Sequence, residues 1–179
     1  MTPLSAEALT GKAKLIKVVI MHLDGVLTAG HIVYGDYGDE IKFFDVQDGL
    51  GLSLLHRANI KTVVLSARKS RINHRRAKEL KIGALYQKVD DKLAALQKII
   101  KNYKVSPEEI CFIGNDLVDR PVMTRVGLAV AVANAVPEIK EVAHYIAHRP
   151  GGRGAVREVA DLILKGLGLW AELTAEYYR

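Results

Sequence analysis

Leu15–Thr28 reads LIKVVIMHLDGVLT, an apolar run that stops at His22-Leu23-Asp24-Gly25. The β-branched and apolar residues from Ile16 to Met21 fit a strand buried on both faces of a parallel sheet. Apart from Lys17 near its start, polar groups appear only where the run ends. In an open α/β sheet, ligands bind outside the carboxyl ends of the strands, so His22 and Asp24 are the first candidate site residues.

Along the chain, short β-rich runs (IKVVIMH, KTVVLSA, ALYQ, EICFIG, LAVAVA and an edge run HYIAH) alternate with amphipathic segments. Leu50–Ala58, Arg71–Leu80, Lys92–Tyr103 and Val156–Leu164 place apolar residues three and four apart, which predicts helices. The alternation predicts an α/β fold, a Rossmann-like parallel sheet flanked by helices. Ser106-Pro107-Glu108-Glu109 has the order of a helical turn start just before a strand. A Gly-rich stretch, Pro150–Gly154, precedes the last helix, and the whole of 1–179 reads as one domain.

One insertion breaks the rhythm. His31–Val46 (HIVYGDYGDEIKFFDV) alternates Ile32, Tyr34, Ile41 and Phe43 around Gly35-Asp36-Tyr37-Gly38, the pattern of a β-hairpin. A lone two-stranded ribbon is marginal in water, so the expectation is that it packs on another subunit.

With 179 residues, 49% of them hydrophobic, the chain can bury a large core. The charge of +6 is spread along it, and the basic segment Arg68–Lys81 lacks the interleaved aromatics of a nucleic-acid surface, so no nucleic-acid partner is expected. The single cysteine, Cys111, lies in an apolar run and excludes an internal disulfide. No segment reaches the roughly 20 apolar residues of a membrane span, and no signal-like N-terminus is present; a soluble cytoplasmic protein without membrane partners is the expectation.

Four strand ends contribute chemistry-bearing residues: His22 and Asp24; Ser66 and Arg68; Lys92, on the helix after the third long strand; and Asn115, Asp116 and Asp119. Taken singly they are ordinary turn, cap and helix residues. Their order is the signal. His22-Leu23-Asp24-Gly25-Val26-Leu27-Thr28, Leu65-Ser66-Ala67-Arg68, Asp91-Lys92-Leu93 and Gly114-Asn115-Asp116-Leu117-Val118-Asp119 resemble, in order, the four motifs of the haloacid dehalogenase superfamily. Asp48-Gly49, Asp119-Arg120-Pro121-Val122-Met123 and Gly151-Gly152-Arg153-Gly154-Ala155-Val156-Arg157-Glu158 are similar to its 3-deoxy-D-manno-octulosonate 8-phosphate (KDO 8-phosphate) phosphatase branch.

That resemblance implies a domain without a large cap, a homotetramer built through the hairpins, a sugar-phosphate ligand and Mg²⁺. It gives Ser66 and Lys92 the phosphoryl group, Asp24 the proton transfer, and Arg68, Asp48, Gly49, Arg153 and Arg157 the substrate. The chain departs from the pattern where the chemistry is done. His22 replaces the nucleophilic aspartate, and Asn115 replaces a metal-ligand aspartate, leaving His22, Asp24, Asn115, Asp116 and Asp119 as a degenerate metal set. Gln47 replaces an arginine, Asn134 an aspartate and Ala67 a glycine. Mg²⁺ requires oxygen ligands in near-octahedral geometry, so weak or absent Mg²⁺ binding is expected. Three readings stay open: a protein with weak or no Mg²⁺-dependent phosphatase activity, an active sugar-phosphate phosphatase working through phosphorylated His22, or a phosphate or sugar-acid sensor using Ser66, Arg68 and Lys92.

Overall fold

The computed structural model describes residues 4–179. Its centre is a six-stranded parallel sheet. The strands are β1 (Val18–His22), β4 (Lys61–Ser66), β5 (Ala84–Gln87), β6 (Ile110–Gly114), β7 (Leu128–Ala131) and β8 (Tyr145–Ile146), ordered β5-β4-β1-β6-β7-β8. Every residue of β1, β6 and β7 is buried, as a sheet covered on both faces demands. β1 lies between β4 and β6, with Val18 in register with Lys61 on one side and Ile110 on the other. Three carboxyl ends, at His22, Ser66 and Gly114, therefore fall side by side.

The helices that flank the sheet are α2 (Val46–Arg57), α3 (Arg71–Glu79), α4 (Lys92–Tyr103) and α7 (Ala155–Gly166). Their starts follow the capping rules. Asp91 accepts from the amides of Leu93 (2.8 Å) and Ala94 (3.0 Å), which fixes Lys92 at the first position of α4. Ser70, not Ser66, caps α3, by accepting from Ile72 N at 3.1 Å. α7 turns Val156, Val159, Ala160, Ile163 and Leu164 inward. Cys111 is fully buried in β6 among apolar neighbours.

Several boundaries differ from the sequence reading. α2 starts at Val46 because Asp45 caps it, accepting from Gln47 N at 2.7 Å. The HYIAH strand shrinks to Tyr145–Ile146, since it pairs only with β7 at the sheet edge. Four short helices escaped periodicity: α1 (Ala6–Ala13), α5 (Arg120–Met123), α6 (Pro137–Lys140) and α8 (Trp170–Thr174). Three of them are too short to repeat an apolar spacing. The hairpin after β1 is real but brief, with β2 (Val33–Tyr34) and β3 (Glu40–Ile41) paired antiparallel in a sheet of their own. No helix among the described residues is long and apolar enough to cross a membrane.

Candidate active site

The chain leaves β1 through a tight turn, Leu23–Leu27, closed by Thr28 N donating to Leu23 O at 3.1 Å. Gly25 sits at φ +94°, where a side chain is strained, and a Cβ there would fall 2.3 Å from Asn115 Nδ2. The turn is also held from behind. Gly152, at φ +66°, donates to Val26 O at 2.8 Å, and Gly151 N donates to Asn134 Oδ1 at 2.9 Å. The Gly-rich stretch thus acts on the first loop as a close-packed backbone support.

Within this frame four side chains form one buried network. Asp119 is at its centre and wholly buried. Its Oδ1 meets Lys92 Nζ at 2.5 Å; its Oδ2 accepts from the amides of Asn115 (2.9 Å) and Asp116 (3.3 Å) and lies 3.3 Å from His22 Nδ1. His22 Nδ1 is also 2.8 Å from Asn115 Oδ1. With two oxygens against it, Nδ1 is a hydrogen-bond donor. Burial opposes ionisation of Asp119, but the hydrogen bond and charge of His22 and the charge of Lys92 outweigh it, holding the carboxyl down at about 2.

Asp24 faces a different partner. Lys42, from the residue after β3, reaches Asp24 Oδ1 at 2.6 Å with its side chain 1% exposed. Arg68 Nη2 bonds Tyr34 Oη (3.2 Å) and Glu40 Oε1 (3.4 Å), both on the hairpin. Ser66 is buried and spends its hydroxyl on its own turn, donating to Arg68 O at 3.0 Å and accepting from Arg68 N at 3.2 Å.

The other sequence candidates lie elsewhere. Asp48 is buried, with Oδ1 accepting from Arg157 N at 2.8 Å, so it supports the start of α7. Burial pushes its carboxyl up to about 6, against the pull of the Arg157 amide and with the help of the Asp45 charge. Gly49 on α2 faces Leu80 and Arg76. Arg157 Nε pairs with Asp161 Oδ1 at 2.7 Å and lines, with Gln47, Tyr145 and Arg149, a separate cavity of about 780 Å³ to which none of His22, Asp24, Ser66 or Lys92 contributes. Arg153 is exposed on the Gly-rich loop, and Asp116 is exposed and caps the following turn by accepting from Leu117 N at 2.7 Å. Sequence reasoning missed Lys42 and Glu40. Their only signal was a Glu-x-Lys charge pair inside an otherwise apolar hairpin arm.

Compared with known proteins, residues 54–156 match the model of the haloacid dehalogenase-like hydrolases. The KDO 8-phosphate phosphatase of Salmonella typhi is 42% identical over 93% of this chain and 88% of its own length. The chain belongs to the haloacid dehalogenase-like hydrolases, in the KDO 8-phosphate phosphatase branch. A probable YrbI-family phosphatase from Pseudomonas syringae superimposes with a TM-score of 0.95 at 39% identity, covering 97% of this chain and 98% of that one. The Moraxella catarrhalis KDO 8-phosphate phosphatase, solved with magnesium, phosphate and KDO, gives a TM-score of 0.92 at 39% identity over 94% of this chain and 97% of its own.

The residues present do not fit the magnesium of that relative. Among the candidate metal positions of the first and fourth motifs stand an imidazole, an amide, a carboxylate bonded to Lys42, and Asp119, whose two oxygens are taken by Lys92, two amides and His22. Hard dications need several free anionic oxygens, and imidazole is a poor ligand for Mg²⁺. Among the described residues no group of three acidic, histidine or cysteine side chains converges as a metal site.

Proposed function

We propose that this chain is a KDO 8-phosphate phosphatase-like protein in which Mg²⁺-dependent phosphoester hydrolysis is weak or absent. The observation that carries this reading is the closed network His22–Asn115–Asp119–Lys92. An aspartyl phosphatase needs a free carboxylate to attack phosphorus and a dication to offset the charge gathered there. Here an amide and an imidazole occupy those places, and the two remaining carboxylates, Asp24 and Asp119, are each already paired with a lysine. The ligand class that suits the retained loops is a sugar phosphate or sugar acid. Assembly as a homotetramer fits the hairpin, whose Tyr34 (68% exposed) and Phe43 (69%) present apolar surface that a subunit would cover. The proposed compartment is the cytoplasm.

Hydrolysis of KDO 8-phosphate and p-nitrophenyl phosphate, with Mg²⁺, Zn²⁺ or chelator, tests the reading. The native chain should give little Mg²⁺-dependent turnover, and the double change His22→Asp with Asn115→Asp should raise it. Robust native turnover abolished by Asp24→Asn would overturn it.

One observation favours a second reading. With Nδ1 held by Asn115 and Asp119, Nε2 is the ring nitrogen left to act as nucleophile whenever it carries the lone pair, and the two oxygens fix the plane of the ring. Nε2 would form an N–P bond as the ester P–O bond breaks, the leaving alkoxide taking a proton from solvent. Acid-labile phosphate on His22 after incubation with KDO 8-phosphate, seen by phosphorus NMR and lost in His22→Gln, distinguishes this reading from the first.

A further inference from the structure

The hairpin has too little backbone of its own to hold a position. β2 and β3 share two residue pairs, Val33↔Ile41 and Tyr34↔Glu40, and the turn adds Gly35 N to Asp39 O at 2.9 Å and Gly38 N to Gly35 O at 3.2 Å. A ribbon this short is not stable alone. At its base it meets the body through one bridge, Thr28↔Phe44, and through the Arg76 guanidinium 5.4 Å from the Phe44 ring. Beyond that base the hydrogen bonds and ion pairs that tie the arms to the body are polar and cross in two directions. Lys42 reaches Asp24 in the first loop at 2.6 Å, with Glu40 of its own arm 3.7 Å away; on the other side Arg68, after β4, reaches Glu40 at 3.4 Å and Tyr34 at 3.2 Å, and Ser70 hydrogen-bonds Glu40.

The burial of these groups gives the arrangement its weight. The side chain of Lys42 is 1% exposed, those of Glu40 and Asp24 16% and 17%. Ion pairs at the surface contribute little, whereas removing one partner of a buried pair leaves an uncompensated charge at large cost. Asp24 lacks any other side-chain partner in the described hydrogen bonds. Its direction is therefore set by a residue that belongs to the insertion, not to the sheet.

We propose that Lys42 is a positioning residue: through its buried ion pair with Asp24 it both aims that carboxylate and latches the hairpin onto the first loop, so that the loop and the assembly surface move as one unit. This does not depend on whether the chain hydrolyses phosphoesters.

Hydrogen exchange on the full chain tests the proposal. Lys42→Met and Asp24→Asn should each speed exchange of the Gly35 amide at least about tenfold, with the central β1 amides Val19 and Ile20 unchanged. The double variant should be no faster than either single one, because both remove the same contact. Lys42→Arg, which keeps a cation of similar reach, should restore protection. Equal acceleration in the hairpin and in β1 would make Lys42 a general stability residue and overturn the proposal, as would additive effects of the two single changes or an unaltered Gly35.

Discussion

Asp119 and Lys92 meet at 2.5 Å with the carboxylate wholly buried and the ammonium nearly so, which joins the end of β6 to the start of α4 beneath the first loop. Both charges are withdrawn from water, Asp119 with His22 and two amides as further partners and Lys92 with Asp119 as its ion-pair partner. Asp119→Asn or Lys92→Met should destabilise the protein by about 3–5 kcal/mol, the cost of stranding one buried ion, and replacing both together should cost less than the sum. Urea denaturation of the two single variants and the double variant measures it.

The two perturbed acids act in opposite directions with pH. Asp119 is held down at about 2, so its contribution is complete above the ordinary carboxylate range and is lost as pH falls through 4 towards 2. Asp48 is pushed up to about 6, so ionising it costs stability as pH rises from 4 through 6. The melting temperature of Asp48→Asn relative to native should accordingly climb between pH 4.5 and pH 7.5, by about 2–3 kcal/mol in free energy. A flat difference across that range would contradict a buried, neutral Asp48.

Backbone contact between the first loop and the Gly-rich stretch leaves no space for a side chain. A Cβ on Gly151 would fall 1.8 Å from Gly25 O, and one on Gly152 2.2 Å from Ala29 N. Gly151→Ala should lower the melting temperature by several degrees, whereas Gly38→Ala, where nothing lies within 4 Å but φ is +76°, should show only the smaller cost of backbone strain. Thermal denaturation of the two variants side by side checks the order.

Placing acids at positions 22 and 115 should make stability depend on metal. His22→Asp with Asn115→Asp adds two carboxylates beside Asp119, which repel one another without a cation. In chelator the double variant should melt below the native chain, and millimolar Mg²⁺ should raise its melting point while leaving the native one unmoved. Calorimetric titration of Mg²⁺ gives the same comparison directly.

If subunits cover the hairpin, a charge placed there should weaken assembly. Phe43→Asp, at a side chain 69% exposed, should shift the mass seen by light scattering toward the monomer at micromolar concentration without altering far-UV circular dichroism. An unchanged mass would remove the hairpin from the interface.

The sheet was legible because its signal is local and strong. β1 and β6 are nearly continuous apolar runs, buried at every position, and β4 carries the apolar stretch Val63–Leu65, while α4 repeats apolar residues at helical spacing from Leu93 to Ile100. The short helices were not, since four or five residues carry no period. Among site residues, His22, Asp24, Ser66, Lys92 and Asn115 could be placed at strand or helix ends from order alone. Asp48 could not: named only through the family resemblance, as a substrate residue, it lies inside α2 with its side chain buried against the Arg157 amide at the start of α7. Lys42 was hidden for the opposite reason, because a lysine on a hairpin arm reads as solvated.

Residue type and spacing along the chain were enough to reveal the α/β architecture, the order in which polar residues reach the sheet edge, and the imidazole and amide at positions 22 and 115. Which charges neutralise which emerged only from the folded chain. Asp119 is separated from Lys92 by 27 positions and Asp24 from Lys42 by 18, and the pairing of buried ions is set by distance in space and by exclusion of water.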